Sequence, residues 1–188
     1  MDKKNELLAA AREVFAEKGY KAAGISDIAK RSQMAVGSFY KYYESKEAIF
    51  LEVYVTENSR IREGIMQSVD WQGEPEAIIE QLFAVTFELI SPNKILAEWN
   101  KPGISQILHD YYNQDSGRAS NAFHQFLIQT FSQRLQEEGF SKEKIAETMK
   151  VYDLIYYIDM HVTEQEFSGY FDSLETLVKY FVKGIFSK

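Results

Sequence analysis

The 188-residue sequence contains no cysteine, only ten glycines and only three prolines. Without thiols the chain cannot form disulfides, and a zinc finger would have no sulfur ligands. The scarcity of helix-breaking residues favours long helices over many short strands. No run approaches the ~18 consecutive apolar residues of a membrane span, and the charged start of the chain lacks the apolar core of a signal peptide. We therefore expect a cytoplasmic protein with no membrane partner.

Positive charge is also scarce, and it is unevenly distributed. The net charge of the chain is −7. Residues 1–60 hold ten Lys+Arg against nine Asp+Glu, whereas residues 61–188 hold eleven against nineteen. A DNA-binding protein needs only a local positive face, because phosphate contacts act within about a Debye length, ~8–10 Å. The asymmetry predicts that the nearly neutral N-terminal part and the acidic remainder have different functions.

Apolar residues recur at helical spacing along most of the sequence, which predicts an all-α fold of about nine helices. The first helix covers 3–18 and ends at Gly19, Ser26 caps a short second helix, and Gly37 opens a short third one. Ser45 is expected to cap a fourth helix that runs from Lys46 to about Ser68. Five more helices are predicted at 75–90, 103–113, 117–138, 141–163 and 168–186. The 75–90 helix is apolar on most sides and is expected to be largely buried.

Two short helices joined by a tight turn occupy residues 26–46, SDIAKRSQMAVGSFYKYYESK. This arrangement indicates a helix-turn-helix, whose second helix presents its N-terminal residues to base edges in the major groove. The small residues Ala35, Gly37 and Ser38 would allow that close approach. The residues expected to hold the two helices together are Ile28, Ala29, Met34, Val36 and Phe39.

Other side chains of this segment have the chemistry needed to bind DNA. The Tyr40 hydroxyl can donate a hydrogen bond to a phosphate, and Lys46 can hold another phosphate at the start of its helix. Ser38, Lys41 and Tyr42 are expected to point outward. The full predicted DNA-binding set is Ser26, Val36, Gly37, Ser38, Tyr40, Lys41, Tyr42 and Lys46.

Residues 3–60 resemble the TetR family of transcriptional regulators. The resemblance rests on Gly19-Tyr20, Ser26, Ile28-Ala29, Gly37-Ser38-Phe39-Tyr40, Tyr42-Tyr43 and Ser45-Lys46. The sequence departs from the family pattern at Gln33-Met34, where the family often has Gly-Val, and at Tyr43, where Phe is commoner. The first departure bears on the shape of the turn.

The resemblance implies an all-helical homodimer with two functional parts. Residues 1–48 would form a three-helix DNA-binding head, and residues 49–188 a ligand-binding and dimerisation body. Segments 141–163 and 168–186 would pair with their copies as a four-helix bundle. The implied partners are a palindromic operator in double-stranded DNA and a small, largely apolar or aromatic effector that releases it. The two heads must lie ~34–36 Å apart, or a multiple, to meet successive major grooves.

Aromatic residues are frequent in the C-terminal part, and a mostly apolar cavity with a few polar groups is the usual ligand pocket. Most of these aromatics can equally be plain core. The predicted ligand-binding residues are Phe83, Phe87, Trp99, Phe123 and Tyr152. Polar candidates are Glu88, Glu98, His124 and Asp159. Asp159 would either bind a cationic ligand or face solvent.

Two other classes of protein remain as alternatives. A helical carrier of small molecules explains the acidic, aromatic-rich body but gives no reason for outward-facing Tyr40 and Lys46. A helical enzyme has little support, because no combination of Ser, His and Asp suggests catalysis and the three histidines suggest no metal site. We expect a DNA-binding regulator, not an enzyme, with no cofactor; repression and activation both stay open.

Overall fold

A computed structural model describes residues 2–101, 103–114 and 121–187. Over these ranges the chain forms nine α-helices and one 3-10 helix and contains no strand, which confirms the predicted all-α class. The helices are α1 (Lys3–Ala22), α2 (Ile25–Arg31), α3 (Val36–Phe39), α4 (Lys46–Ser68), α5 (Pro75–Ile90), the 3-10 helix (Leu96–Asn100), α6 (Ser105–Asn113), α7 (Ala122–Glu137), α8 (Lys142–His161) and α9 (Tyr170–Phe186).

The chain divides into two compact units. The first unit consists of residues 1–62 and 88–111, and the second of residues 63–87 and 112–188. The proposed functional boundary after residue 48 stays a prediction. None of the helices in the described ranges is long and apolar enough to cross a membrane.

Two helix boundaries near the N-terminus differ from the predicted ones. Gly19 leaves the helical conformation, with φ of 73° and ψ of 171°, but a further turn follows and α1 ends at Ala22. The N-cap of α2 is Gly24 and not Ser26, which lies inside the first turn. Asp27 supports this helix start, because its carboxylate accepts a hydrogen bond from the Gly24 N–H at 3.1 Å. The prediction that Ser26 caps α2 is therefore wrong.

In the described residues the later helices follow the predicted pattern with two exceptions, the 3-10 helix and the burial of α5. Residues 117–120, where the α7 segment was predicted to begin, lie outside the described residues. The 3-10 helix was not anticipated from the sequence. The expectation that α5 is largely buried is wrong: none of its residues is buried, and Phe87 is 73% exposed. The apolar pattern of α5 indicates which residues favour burial, whereas their actual burial depends on which sides of the helix meet a neighbour.

The core of the first unit holds the N-terminal helices together. Phe15, Phe39 and Phe50 are almost completely buried, as are Leu7, Ile28 and Ile49. The rings of Phe15 and Phe50 meet edge to face with centroids 4.9 Å apart. Each such side chain contributes roughly 1.5–3 kcal/mol by leaving water, so this core positions α2 and α3 on α1 and α4.

Candidate nucleic-acid interface

The connection between α2 and α3 is a tight, hydrogen-bonded turn. The Met34 N–H donates to the Ala29 carbonyl oxygen at 2.8 Å, and the Gln33 N–H donates to that of Lys30 at 3.2 Å. Gln33 has φ of 56°, a left-handed conformation that a non-glycine residue adopts at a cost. The departure of Gln33 from glycine therefore falls at the one position of this turn where glycine would be preferred.

The two helices pack through one shared apolar face. Ile28 and Ala29 of α2 and Phe39 of α3 are buried, as expected, and Tyr43 just after α3 is buried too. The expectation that Val36 also packs between the helices is wrong, because its side chain is 45% exposed. Helix α3 begins at Val36 itself, so its first residues project outward and only its end is anchored in the core.

The exposed side of α3 carries most of the residues predicted to bind DNA. Tyr40 is 57% exposed, Gly37, Lys41 and Tyr42 are exposed, and Ser38 is half-buried. Ser26 is exposed at the start of α2. A Cβ atom placed on Gly37 would meet nothing within 4 Å, so the packing of the protein itself does not require glycine there. The space in front of α3 is open to a partner.

Lys46 has an additional role that the sequence did not reveal. Its Nζ donates to the carbonyl oxygens of Tyr20 and Ala23, both at 3.0 Å, and lies 4.2 Å from the centroid of the Tyr20 ring. These contacts tie the start of α4 to the end of α1. An ammonium group has three N–H donors, so one remains for a phosphate.

Two tyrosines of the head are held by carboxylates. The Tyr20 hydroxyl donates to Glu47, and burial together with this hydrogen bond raises the pKa of Tyr20. The Tyr43 hydroxyl donates to Glu52 at 3.0 Å, and burial together with this bond raises the pKa of Tyr43. Where the TetR family commonly has Phe, this chain therefore uses the extra hydroxyl to bind α4.

A buried carboxylate joins three segments of the first unit. Glu57 of α4 is 2% exposed and accepts hydrogen bonds from Arg12 at 2.7 Å, Arg60 at 2.7 Å and Asn93 at 2.8 Å. Burial alone would raise the pKa of Glu57, but the hydrogen bonds from Arg60, Arg12 and Asn93 outweigh it and lower the pKa to about 2. Glu57 is thus ionised at neutral pH and links α1, α4 and the segment after α5.

The predicted ligand-binding residues fall in both units. Phe83 and the exposed Phe87 belong to α5, and the Trp99 ring lies in the first unit with its centroid 4.2 Å from that of His109. In the second unit Phe123 is buried, and the Tyr152 hydroxyl lies 3.1 Å from His124 Nδ1. The set stays a prediction.

The second unit contains a cleft of about 200 Å³, which we call the aromatic cleft. The His124 ring stacks on Tyr156 with centroids 3.7 Å apart, and His161 stacks on Tyr157 at 3.9 Å. The lining residues are Tyr112, Asn113, His124, Asp153, Tyr156, Tyr157, Met160 and His161.

The other polar candidates have different surroundings. Asp159 accepts a hydrogen bond from the Tyr170 hydroxyl at 3.3 Å. Glu98 is buried in the first unit, where it accepts from the Tyr20 N–H at 3.2 Å. Glu88 is exposed. In the described ranges no three His, Asp or Glu side chains are grouped to hold a metal ion.

Comparison with known proteins points to one family. Residues 7–53 match the family model of bacterial regulatory proteins, tetR family. The HTH-type transcriptional regulator YdgC of Bacillus subtilis is 39% identical over 62 residues, which are 33% of this chain and 32% of YdgC. QacR, an HTH-type transcriptional regulator of Staphylococcus aureus, is 35% identical over 63 residues, 34% of each chain. The chain thus aligns with about a third of the length of these curated relatives.

The fold of the whole chain is also similar to that of solved structures. A TetR-family protein from Mesorhizobium loti MAFF303099 matches it with a TM-score of 0.55 over 97% of this chain and 94% of its own, at 21% identity. At that identity the match establishes a shared fold and no more. The helix-turn-helix segment of this chain is thus similar to that of bacterial regulatory proteins of the tetR family, and the chain shares its helical fold with the Mesorhizobium loti protein.

Proposed function

We propose that this protein is a transcriptional regulator that binds a palindromic operator as a homodimer, and that it is a repressor released by a small effector. The observation that carries the proposal is the exposed start of α3. Val36 and Tyr40 are exposed and a Cβ atom added to Gly37 would meet nothing within 4 Å, while Phe39 anchors the end of the helix in the core. A short helix supported in this way can enter a major groove without disturbing the fold beneath it.

Each predicted DNA-binding residue receives a specific role in this proposal. Ser38, Lys41 and Tyr42 face base edges, and Val36 and Gly37 let the helix approach them closely. Tyr40 and Lys46 bind phosphates on either side of the groove, and Ser26 binds another at the start of α2. The phosphate contacts supply affinity, whereas the base contacts select the operator sequence.

Exposed apolar residues on α8 and α9 support a homodimer. Val151, Leu154 and Tyr157 follow one another at three-residue spacing on α8, and Leu177 and Tyr180 do so on α9. Leu154 is 58% exposed and Tyr180 is 71% exposed. Apolar stripes of this kind mark interfaces, and a two-fold axis would pair them into a four-helix bundle.

The effector is assigned to the second unit, where the aromatic cleft offers ring faces and the carboxylate of Asp153. Tyr152 borders this site through its contact with His124. Effector binding would lower operator affinity through a change in the spacing or tilt of the two heads. A coupling of ~1–3 kcal/mol, or ~5–150-fold in affinity, is the usual scale.

The direct test is DNA binding by the purified chain, measured by fluorescence anisotropy with duplexes from upstream of its own gene. Ser38→Ala and Lys41→Ala should change the preference among base substitutions in the site, whereas Lys142→Ala, at the exposed start of α8, should have no effect. The proposal fails if no duplex is preferred over random DNA at any salt concentration.

Lys46 needs a test that separates its two possible roles. Lys46→Ala removes the ties to Tyr20 and Ala23, so the thermal midpoint should fall whether or not the residue touches DNA. A phosphate contact should in addition lower the slope of log affinity against log salt by ~1. A lower midpoint with an unchanged slope would assign Lys46 to the fold alone.

A further inference from the structure

A second cleft, of about 610 Å³, lies in the first unit between the end of α1 and the segment 94–101. We call it the lysine cleft. Its lining consists of Lys18, Gly19, Lys21, Ala22, Lys94, Glu98 and Lys101. It shares no residue with the aromatic cleft or with the predicted DNA-binding set.

The charge of the lysine cleft is opposite to that of the chain. Four ammonium groups line it against one carboxylate, in a protein of net charge −7. Lys101 pairs with Glu98 at 3.0 Å, and Lys18 pairs with Asp27 at 2.9 Å. Lys21 and Lys94 form no ion pair among the described residues. Lys94 donates to the Glu17 carbonyl oxygen at 2.7 Å, and its charge helps to lower the pKa of the Glu17 carboxyl, which Arg31 lowers most through a hydrogen bond. Each wall therefore carries one ammonium group, Lys21 or Lys94, that is not fixed in an ion pair.

The base of the lysine cleft is shaped by small residues and a fixed carboxylate. Gly19 has φ of 73°, and a Cβ atom added to it would lie 3.3 Å from Glu98 Oε1. Glu98 is 4% exposed and is held by the Tyr20 N–H and by Lys101 Nζ. The hydrogen bond from the Tyr20 N–H to the buried Glu98 carboxylate thus joins the two walls and preorganises the cleft for a ligand.

We propose that the lysine cleft binds a compact anion with two or more negative charges, supplied by phosphate or carboxylate groups, which bridges Lys21 and Lys94. Each ammonium still has N–H donors to offer, and charge-assisted hydrogen bonds are the strong ones. One wall of the cleft is α1, against which α2 packs. An anion bound here is therefore a second regulatory ligand, separate from the effector of the second unit.

The test is isothermal titration calorimetry of the full chain with sodium pyrophosphate and, separately, with sodium citrate, at ionic strength held constant with NaCl. We expect saturable binding of at least one anion, and the tighter of the two identifies phosphate or carboxylate chemistry. Lys21→Ala and Lys94→Met should each weaken it about three- to tenfold, as expected for one exposed charge-assisted contact. Lys142→Ala is the matched control and should bind as the unaltered chain does.

Two results would overturn the proposal. The first is a calorimetric result without the expected binding. Either neither anion binds saturably, or the Lys21→Ala and Lys94→Met variants bind the anion with the same affinity as the unaltered chain. The second is a Lys21→Ala variant that retains anion binding but lowers the salt slope of DNA binding by ~1, because the lysine would then contact the DNA backbone. The calorimetry needs no DNA, so its outcome is independent of operator binding.

Discussion

Glu57 illustrates how single residues hold the N-terminal helices in place. Its carboxylate is buried, but its guanidinium partners Arg12 and Arg60 are 46% and 56% exposed at the side chain. The charges are therefore neutralised without two cations being removed from water, which limits the desolvation cost of the cluster. The Asn93 side-chain amide donates to the same carboxylate, which connects the segment after α5 to α1 and α4.

We predict that Glu57→Gln lowers the free energy of unfolding by about 2 kcal/mol at pH 7, less than for a fully buried pair because the arginines are exposed. The folded pKa of about 2 lies below the ordinary value of 4.5. The stabilisation is thus complete above about pH 5 and is lost as the pH falls from there toward 2. Urea unfolding of the unaltered chain and of Glu57→Gln at pH 7 and pH 3 measures the difference in their free energies of unfolding.

The difference between the two proteins should shrink at the lower pH. Glu63→Gln, an exposed position on the same helix, is the control and should change stability little at either pH. A Glu57→Gln effect of equal size at pH 7 and pH 3 would contradict the assigned charge.

Gln33 is the second residue whose effect can be predicted. Its left-handed backbone costs an L-residue ~1–2 kcal/mol, while glycine loses ~0.5–1 kcal/mol through greater freedom in the unfolded chain. Gln33→Gly should therefore raise the free energy of unfolding by about 0.5–1 kcal/mol in denaturant melts. Gln67→Gly, in an exposed position inside α4, should lower it by about 1 kcal/mol. Destabilisation by both changes would argue against strain at Gln33.

Helix α3 is the element on which the proposed function depends, and it is too short to be stable alone. It spans four residues, fewer than an isolated helix needs in water. Its position comes from the burial of Phe39 and from the hydrogen bonds of the turn before it. The same packing leaves its first residues free to contact DNA.

Gly37→Ala should separate the stability of α3 from its function. The new Cβ would meet open space, so the free energy of unfolding should stay the same or rise by up to about 1 kcal/mol, the helix preference of alanine. Operator affinity should fall at least tenfold, because the methyl group would occupy the space that the DNA needs. Parallel denaturant melts and anisotropy titrations measure the two effects. Unchanged affinity would show that Gly37 does not approach the duplex.

At the scale of the whole molecule, the exposed apolar stripes of α8 and α9 form the surface proposed to pair two subunits. A single subunit in water would leave Leu154 and Tyr180 largely exposed. The proposed operator is palindromic, so a dimer is also what places two reading helices on successive major grooves. Dimerisation and DNA binding are therefore expected to be lost together.

The double variant Leu154→Glu/Tyr180→Glu should be monomeric in sedimentation equilibrium at concentrations where the unaltered chain is dimeric, because paired carboxylates would face each other across the interface. Its operator affinity should fall by at least two orders of magnitude, since specific sites are bound ~10³-fold or more above non-specific DNA. Ile107→Glu, an exposed apolar position on α6, is the control and should stay dimeric. A dimeric double variant would mean that another surface pairs the subunits.

The sequence by itself determined the helical class, the bounds of α4 and α5, and the helix-turn-helix. Apolar spacing, the Ser45 cap and the Pro75 start act over a few neighbouring residues, so they can be read along the chain. Only the tertiary structure decided that Val36 points outward and that α5 is exposed. It also decided that Lys46 donates two hydrogen bonds to α1 and the following residue, and that four lysines line one cleft. These features depend on residues far apart in sequence, such as Glu57 with Asn93 and Tyr20 with Glu98, and packing brings such pairs together.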